Sequence, residues 1–448
     1  MLRNNYLAQF YGKSQNYTDI PNEWYKEYNV KKGLRNDDGT GVRVGLTRVS
    51  DVVGYEETEE GIKAAPGKLY YRGIDVTDLV NGKRGSHFGY EEVCFLLLFG
   101  YLPKKQELEN FCNVIREFYK IPDEFVEMNL LRMPGMNLMN KLQDAVLTLY
   151  NYDPDPDNIG VYQTLVKGIS LLAKLPSIAC YAYQSKVHYY DRDSLFIHYA
   201  NPEYSIAENF LSLLRKDQKF SVREAGLLDT ILMLHADHGG GNNSTFTTHV
   251  VTSSLTDTYS VIAAAIGSLK GPRHGGANIK VVQMFEDMKR EVYDWTDEDE
   301  VSVYLTKLLN KDAFDHAGLI YGVGHAVYSK SDPRAVIFKS FVEKLSEEKG
   351  LQREFALYSL VEKLAPEVIA RERQIYKGVS INVDFYSGFV YHMLELPMEL
   401  YTPIFAMARI SGWSAHRMEE LANNGKIIRP AYKPIGSDHS YMDISSRP

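Results

Sequence analysis

Three histidine segments rich in glycine are the parts of this sequence best suited to chemistry. His235 and His238 lie just before three consecutive glycines, His274 lies in the loop Gly271–Asn278, and His325 follows a Gly-Val-Gly run. Near neutral pH an imidazole can exchange a proton, donate a hydrogen bond or bind a metal, and glycine lets a ligand approach the backbone closely. Each segment alone could be structural, whereas three in one chain favour a shared site.

The pair His235 and His238 leaves several interpretations open. Their spacing puts both rings on one helix face, where they could bind a metal if a third ligand were supplied. The glycines that follow are typical of a lipase oxyanion loop, but the sequence has no Gly-x-Ser-x-Gly elbow to carry the nucleophile. A histidine at a helix end could also face a substrate, or simply cap the helix beside a glycine turn.

Charged residues in apolar surroundings point to an anionic ligand. Asp332 and the proline after it mark a helix start which, with the nearby Arg334, suits an anion. Arg409 lies among apolar residues of a helix that Thr402 is expected to begin as N-cap, so its charge requires a partner or a ligand. Asp384 precedes another apolar helix and is either a cap or a base.

The elements that position these residues are mostly helices. Strand-like segments at Val42–Val49 and Lys68–Tyr71 predict a small β hairpin or meander near the N-terminus. After Tyr90 the periodicity becomes helical, and past Asn278 the helical segments become more charged and amphipathic. The expected helices are Glu91–Phe99, Leu142–Leu149, Tyr162–Leu175, Ile206–Leu214, Glu224–Leu234, Thr258–Leu269, Ile279–Arg290, Glu300–Leu309, Pro333–Lys349 and Glu354–Arg373.

This pattern predicts a mainly α-helical protein of two domains. Residues 1–278 and 388–448 are expected to form a large helical domain, which begins with an N-terminal arm, and residues 279–387 a small mobile one. His274 and Asp384 would then lie beside the two crossings between the domains. A site at such a cleft can exclude water when the domains close.

Composition and charge exclude other classes. Lys and Arg total 50 against 58 Asp and Glu, giving a net charge of -8, and no basic stretch offers a footprint for nucleic acid. The longest apolar runs found, Val93–Phe99 and Val261–Leu269, are short of the roughly 18 to 20 residues of a membrane span. Three separated cysteines without a CxxC pair, and no signal sequence, favour the reducing cytoplasm.

The sequence resembles the citrate synthases, including the related 2-methylcitrate synthases, from about Gly41 to Pro430. The resemblance is carried by Lys68-Leu-Tyr-Tyr-Arg-Gly-Ile-Asp75, by Tyr90-Glu-Glu-Val-Cys-Phe-Leu-Leu-Leu-Phe-Gly100, and by the motifs of His238, His274, His325 with Arg334, Asp384, Arg409 and Arg429 in the family order. It implies an all-helical citrate synthase-like fold and a Claisen condensation of acetyl-CoA with oxaloacetate, followed by hydrolysis to citrate and CoA.

The resemblance also implies a role for each site residue. Asp384 would remove a proton from the thioester methyl while a neutral His274 donates a hydrogen bond to the enol oxygen, its other nitrogen held by a backbone partner in the glycine loop. His325 would polarise the ketone and protonate the new alkoxide. The residues expected to hold oxaloacetate are His238, His325, Arg334, Arg409 and Arg429, with Phe405 beside it. Acetyl-CoA is a co-substrate, and neither a cofactor nor a metal is required.

The sequence departs from the family pattern at positions next to the expected site residues. Gly239 stands where many relatives carry Glu, and Ser329 where relatives often have an arginine for CoA phosphate. Lys330 and Lys377 are the expected CoA contacts. The family further implies a homodimer, or a higher homo-oligomer, in which Arg429 reaches the oxaloacetate of the other subunit.

Three alternatives remain beside citrate synthesis. A 2-methylcitrate synthase would use propionyl-CoA, whose extra methylene changes binding in a pocket by only about 1–3 kcal/mol. A non-catalytic paralogue could bind acyl-CoA without turnover, although it would have no need of His274, His325 and Asp384 together. A metal hydrolase could be built on His235 and His238.

Overall fold

A computed structural model describes residues 2–59, 61–83, 86–374, 378–436 and 440–447. The chain forms two compact units, one of residues 45–427 and one of residues 1–44 with 428–448. Lys377 lies outside the described residues, so its expected contact with CoA stays a prediction.

The smaller unit contains the two chain ends. Its helices are α1 (Leu2–Thr18) and α2 (Asn22–Glu27), followed by a 3₁₀ turn at Lys32–Leu34. The turn-rich segment after it is closed by hydrogen bonds between Asn36 and Thr40, and by a bridge that pairs Arg35 with Gly41. The C-terminal tail of this unit carries Arg429, whose side chain is exposed.

The larger unit begins with an antiparallel sheet of three strands. These are β1 (Ser50–Thr58), β2 (Gly61–Tyr71) and β3 (Ile74–Asp75), in the order β1-β2-β3. Ser50 pairs with Tyr71, and the register shifts once between Val53 and Tyr55. The small N-terminal meander is therefore confirmed, and its second predicted segment lies within β2.

The first predicted strand, Val42–Val49, is wrong. β2 ends at the turn formed by Arg72 and Gly73, both with positive φ, before the chain reverses into β3. The Arg72 N–H still donates to Val49 O at 2.9 Å, but among the described residues no strand continues along the segment before Val49. Val49 is instead fully buried, and its N–H is held by the Thr47 hydroxyl at 3.0 Å.

Helices make up the rest of the larger unit, which confirms the mainly α fold class. In chain order they are α3 (Val76–Gly82), α4 (Gly89–Phe99), α5 (Lys105–Glu117), α6 (Asp123–Phe125), α7 (Leu138–Leu149), α8 (Val161–Lys186), α9 (Ile206–Leu214), α10 (Val222–His235), α11 (Asn243–Thr252), α12 (Thr258–Leu269), α13 (Ala277–Glu291), α14 (Glu298–Leu309), α15 (Pro333–Lys349), α16 (Gln352–Arg373), α17 (Val383–Met393) and α18 (Tyr401–Ala422). Each helix predicted from the sequence overlaps one of these.

The central helix is α18, in which every residue from Tyr401 to Arg417 is buried. It packs on α8 at a close crossing, where a Cβ on Gly168 would lie 2.7 Å from the Ser414 hydroxyl. The expected N-cap at Thr402 is wrong: the helix starts at Tyr401, after a 3₁₀ turn, without a side-chain cap. The Thr402 hydroxyl lies instead 3.4 Å from Asn278 and ties α18 to the start of α13.

α8 is longer and more apolar than the sequence pattern predicted. It continues through Pro176 to Lys186 and, with the π-helical turn that ends at Asp191, is long and apolar enough to cross a membrane by length and composition. The expectation that no apolar run approaches the length of a membrane span is therefore wrong for this helix. Because 78% of its apolar window is buried inside the protein, it is placed as a core helix would be.

The predicted domain boundaries are not the boundaries of these two compact units. Residues 279–387, which include most of α13 and all of α14 to α16, belong to the same unit as the helices around α18. The division into a large domain of residues 1–278 and 388–448 and a small mobile domain of residues 279–387 stays a prediction.

Candidate functional site

His238 lies in a buried turn that follows α10. Its ring packs edge-on against His325, with centroids 5.1 Å apart, and against Tyr328 at 5.6 Å. Burial, aided by the charge of Arg334, lowers the pKa of His238 well below its usual range, so the ring is neutral. Its Nε2 is buried and has no hydrogen-bond partner among the described residues.

Gly239 explains the local shape of this turn. Its φ is +81°, a conformation that glycine adopts without strain, and an added Cβ would lie 2.9 Å from Val52 Cγ2 of β1. The space beside His238 is thus filled by the sheet. A larger residue, such as the Glu expected from relatives, would require a different turn and a shift of Val52.

His325 is fixed in one tautomer by the backbone that follows it. Its Nδ1 accepts hydrogen bonds from the N–H groups of Val327 and Tyr328, both at 3.0 Å. In the neutral ring the proton is therefore on Nε2, which can donate to a carbonyl oxygen. The ring also stacks on Tyr328, with centroids 4.5 Å apart.

His274 is held by Ser244, near the N-terminus of α11. Its Nε2 lies 3.0 Å from the Ser244 hydroxyl and 3.4 Å from the Ser244 N–H. A backbone partner of the ring was expected in the glycine loop, and that location is wrong. Within the loop, His274 is bonded through its main chain: its N–H donates to Gly271 O, and the Ala277 N–H donates to its carbonyl, each at 2.9 Å. Because the Ser244 N–H donates to Nε2, the neutral ring carries its proton on Nδ1.

The protonation of His274 follows from its surroundings. Burial, together with the charges of Arg409 and Arg334, lowers its pKa to about 3. A neutral His274, as expected, is therefore the form present near neutral pH.

Asp384 lies in the first turn of α17 but does not cap it. The cap is Asn382, whose Oδ1 accepts the Asp384 N–H at 3.0 Å and whose amide donates to Gly324 O at 2.9 Å. Asn382 thereby joins α17, which carries Asp384, to the segment of His325. A bridge between Val323 and Ile381 strengthens the same connection.

The Asp384 carboxyl has the surroundings of a general base. Its Oδ1 is buried and unpartnered among the described residues. Burial raises its pKa to about 7, with Arg334 and Arg409 opposing the rise and Asp332 adding to it. A carboxyl with a pKa near the working pH can both accept and release a proton efficiently.

Arg334 begins α15 as predicted, with Asp332 as N-cap and a proline in the first helical position. Asp332 is fully buried and binds the guanidinium through two contacts, at 3.0 Å to Nε and 2.7 Å to Nη2. It also accepts the N–H of Val383 at 3.2 Å. Asp332 thus ties Arg334 to α17, and these bonds leave Nη1 unused.

Arg409 is the strongest indication of an anionic ligand. It is fully buried in α18, and its Nε donates to His235 O at 2.6 Å. Its Nη1 and Nη2 are buried and have no partner in the part of the chain that the structure describes. The guanidinium lies 4.8 Å from the centroid of Phe405, whose ring packs on His235 at 4.0 Å.

Most of the residues predicted from the sequence therefore gather around α18. The positive charges of Arg334 and Arg409 act together on His238, His274 and Asp384. Lys330 is exposed, and Arg429 belongs to the other compact unit, so the roles predicted for them stay predictions. The described residues contain no group of three or more His, Cys, Asp and Glu arranged to hold a metal ion.

Ser244, Tyr328 and Asn382 complete the site, and they were not predicted from the sequence. Each acts through another residue: Ser244 fixes His274, Tyr328 supports two histidine rings, and Asn382 joins two segments. A sequence signal existed only for Asn382, a favourable N-cap residue two positions before Asp384. The assembled site offers a carboxyl with a raised pKa, neutral imidazoles and a buried guanidinium. These groups suit the abstraction of a proton next to a carbonyl of an anionic ligand.

Comparison with known proteins agrees with this geometry. The family model "Citrate synthase, C-terminal domain" matches residues 38–431. Citrate synthase of Acidithiobacillus ferridurans is 35% identical over 88% of this chain and 97% of its own length, and 2-methylcitrate synthase of Shewanella oneidensis is 34% identical over 85% and 92%.

A solved structure shows the same fold. The ternary complex of citrate synthase from Thermoplasma acidophilum with carboxymethyl coenzyme A and oxaloacetate superposes with a TM-score of 0.77 at 27% identity, covering 93% of this chain and 99% of that one. The matched span also agrees with the resemblance from about Gly41 to Pro430. By its family model, its relatives and its fold, the chain belongs to the citrate synthase family of acyltransferases.

Proposed function

We propose that this enzyme condenses acetyl-CoA with oxaloacetate and hydrolyses the product to citrate and CoA. The observation that carries the proposal is the buried guanidinium of Arg409, whose two amino groups have no partner among the described residues. Its charge acts on the Asp384 carboxyl, whose pKa is raised to about 7. A buried charge is costly unless a ligand or partner offsets it. A substrate carboxylate would do so through a forked pair of hydrogen bonds.

Oxaloacetate suits the site because it has two carboxylates and a ketone between them. Arg409 would take one carboxylate, and Arg334 can offer Nη1 while Asp332 holds its other edge. His325, with its proton on Nε2, would donate to the ketone oxygen and later protonate the alkoxide. His238, which is neutral and adjacent, would add a further contact without adding charge.

The acetyl group would be activated by Asp384 and His274. A thioester methyl is a weak carbon acid, so its proton leaves only if the enol oxygen is stabilised as charge develops. His274 would donate that hydrogen bond from Nδ1, because Ser244 occupies Nε2. The enol carbon then attacks the ketone, and water hydrolyses the thioester. We further propose that Lys330 and Lys377 contact CoA and that the protein works in the cytoplasm.

A 2-methylcitrate synthase is the second candidate, because a relative of that name is as similar to this chain as those named citrate synthase. We expect thiol release in the presence of oxaloacetate, with acetyl-CoA exceeding propionyl-CoA in kcat/KM. Matched concentrations of both thioesters measure this ratio. The opposite order would assign 2-methylcitrate synthesis, and no release with either, from a protein that binds oxaloacetate, would indicate a non-catalytic paralogue.

Arg409→Leu should abolish the stabilisation that oxaloacetate gives to the folded protein. A ligand that binds only the native state raises the Tm. At a ligand concentration of one hundred times Kd it adds about 2.7 kcal/mol to the free energy of unfolding. Thermal unfolding with and without oxaloacetate measures the shift. The matched control is Arg417→Leu, since each of the three guanidinium nitrogens of this buried arginine of α18 has a partner, in Thr252, Thr256 or Thr258. It should lower the Tm yet preserve the shift, and a shift retained by Arg409→Leu would contradict the proposed ligand.

Asp384→Ala should bind oxaloacetate normally and lose turnover by about 10²–10⁴-fold, because it removes the base and spares both arginines. In the wild type, the Asp384 carboxyl is increasingly protonated as pH falls below about 7, the value to which burial raises its pKa. The kcat/KM should therefore fall with decreasing pH through this range. Stopped-time thiol assays across pH 5–9 would test both expectations, and near-normal turnover of the variant would eliminate Asp384 as the base.

We also propose a symmetric homodimer in which Arg429 of one subunit serves the oxaloacetate site of the other. Asp384→Asn and Arg429→Ala, each inactive alone, would then complement each other when unfolded and refolded together. Half of the dimers are mixed, and each mixed dimer has one intact site, so about a quarter of wild-type activity should return. If Arg429 serves its own chain, every mixed site keeps one lesion. Confirmed mixed dimers without restored activity would therefore disprove the shared site.

A further inference from the structure

Asp237 is a buried carboxylate immediately before His238 that the mechanism above does not use. Its Oδ2 accepts hydrogen bonds from the Ser50 hydroxyl of β1 and from the Gly239 N–H at 2.9 Å. The same oxygen lies 3.3 Å from Nε2 of His416, which is fully buried in α18. One carboxylate thus joins the sheet, the turn of His238 and the central helix.

The proton arrangement around His416 supports these bonds. Thr47 Oγ1 accepts the Val49 N–H at 3.0 Å and lies 3.5 Å from Nδ1 of His416, so its hydroxyl proton can be donated to that nitrogen. With Nδ1 accepting, His416 carries its proton on Nε2 and donates it to Asp237. The carboxylate is therefore supported from its far side by a chain of donors.

The backbone of this turn is also held closely. The Tyr71 hydroxyl lies 3.1 Å from Asp237 O and 3.3 Å from Asp237 N. A Cβ on Gly412 would lie 2.4 Å from both Ala236 O and Asp237 Oδ1, so α18 packs directly against the turn. Because these contacts leave little room for adjustment, a change at Asp237 should reach His238.

Asp237 also affects the ligand-binding arginine electrostatically. Burial raises the pKa of Asp237, but His416, Arg409 and the Ser50 hydrogen bond outweigh it and lower that pKa below its usual range. In the other direction, burial lowers the pKa of Arg409 to about 10, and Asp237 is the largest charge that opposes this. The attraction uses no donor of Arg409, whose Nη1 and Nη2 stay unpartnered among the described residues.

We propose that Asp237 is a positioning residue for oxaloacetate: it fixes the turn that carries His238 and supplies the counter-charge of Arg409 without occupying its donors. The inference rests on the proposed function, because it names the ligand that those two residues hold. Asp237 itself would not touch the substrate.

Asp237→Asn tests the proposal, because it preserves the size of the side chain and removes its charge. We expect the Kd of oxaloacetate to rise by about tenfold or more, since a buried charge would lose its counterpart. The KM of acetyl-CoA should stay within about twofold. Calorimetric titration of the full-length protein with oxaloacetate and steady-state thiol assays would give the two values.

Asp229→Asn is the matched control. Asp229 is also a buried carboxylate, lies on α10, and accepts the Tyr90 N–H at 2.9 Å beside Lys83 at 2.5 Å. Its loss should lower the Tm and leave the Kd of oxaloacetate within about twofold. The comparison separates a positioning role from a general loss of stability.

His416 provides a second variant pair, which decides the matter if Asp237→Asn does not fold. His416→Gln retains an N–H donor for Asp237 and should bind oxaloacetate within about threefold of wild type. His416→Leu removes the donor and should weaken binding several-fold more than His416→Gln. Equal affinities of these two variants would overturn the proposal.

The outcomes also separate this inference from the proposed function. If the wild-type protein binds no oxaloacetate, the proposed function and this inference both fail. If the wild type binds and folded Asp237→Asn binds equally well, the inference alone is overturned. It is overturned as well if Asp237→Asn loses affinity for oxaloacetate and acetyl-CoA in the same proportion, as a general structural defect would.

Discussion

The site depends on one physical constraint: a charged guanidinium is kept inside a buried helix, and its two amino groups have no partner in the described part of the chain. Arg409 lies in the stretch of α18 that is buried on all sides. His235 O, the Phe405 ring and the charge of Asp237 offset part of the cost, and none of them occupies Nη1 or Nη2. In the proposed function a bound carboxylate would offset the remaining cost, so the incompletely paired charge would serve to hold the ligand.

The same burial sets the protonation of the groups around Arg409 and reverses the usual order of their pKa values. Desolvation disfavours the charged form of every group, so it lowers the pKa of His274 to about 3 and raises that of Asp384 to about 7. The carboxylate thereby becomes a stronger base than the imidazole. Two groups whose pKa values are pushed apart in this way divide into a base and a neutral hydrogen-bond donor. Ser244 then determines which nitrogen of His274 donates.

The sequence predicted the residues whose own type and surroundings are unusual, and missed those that act through distant partners. Arg409 could be predicted because its neighbours in the sequence are apolar. The start of α15 could be predicted because a proline follows Asp332. Nothing local predicts that Ser244 meets His274 or that Ser50 meets Asp237, because these pairs are 30 and 187 residues apart. Threonine is a favourable N-cap residue, but the Thr402 hydroxyl instead makes a tertiary contact with Asn278. Local propensity is overridden where packing uses the same group.

Acyl preference is physically separate from this machinery. Arg334, Arg409, His325 and His274 would contact carboxylates and carbonyl oxygens, which acetyl-CoA and propionyl-CoA reactions share. One additional methylene interacts only through packing, with a free energy of about 1–3 kcal/mol, whereas an unpaired buried polar group can cost more. Substitutions that reshape an apolar wall can thus change the preferred thioester without disturbing the charged centre. If acyl preference is separate from the charged centre, relatives with either name should be about equally similar to this chain. The citrate synthase and the 2-methylcitrate synthase compared above are 35% and 34% identical to it.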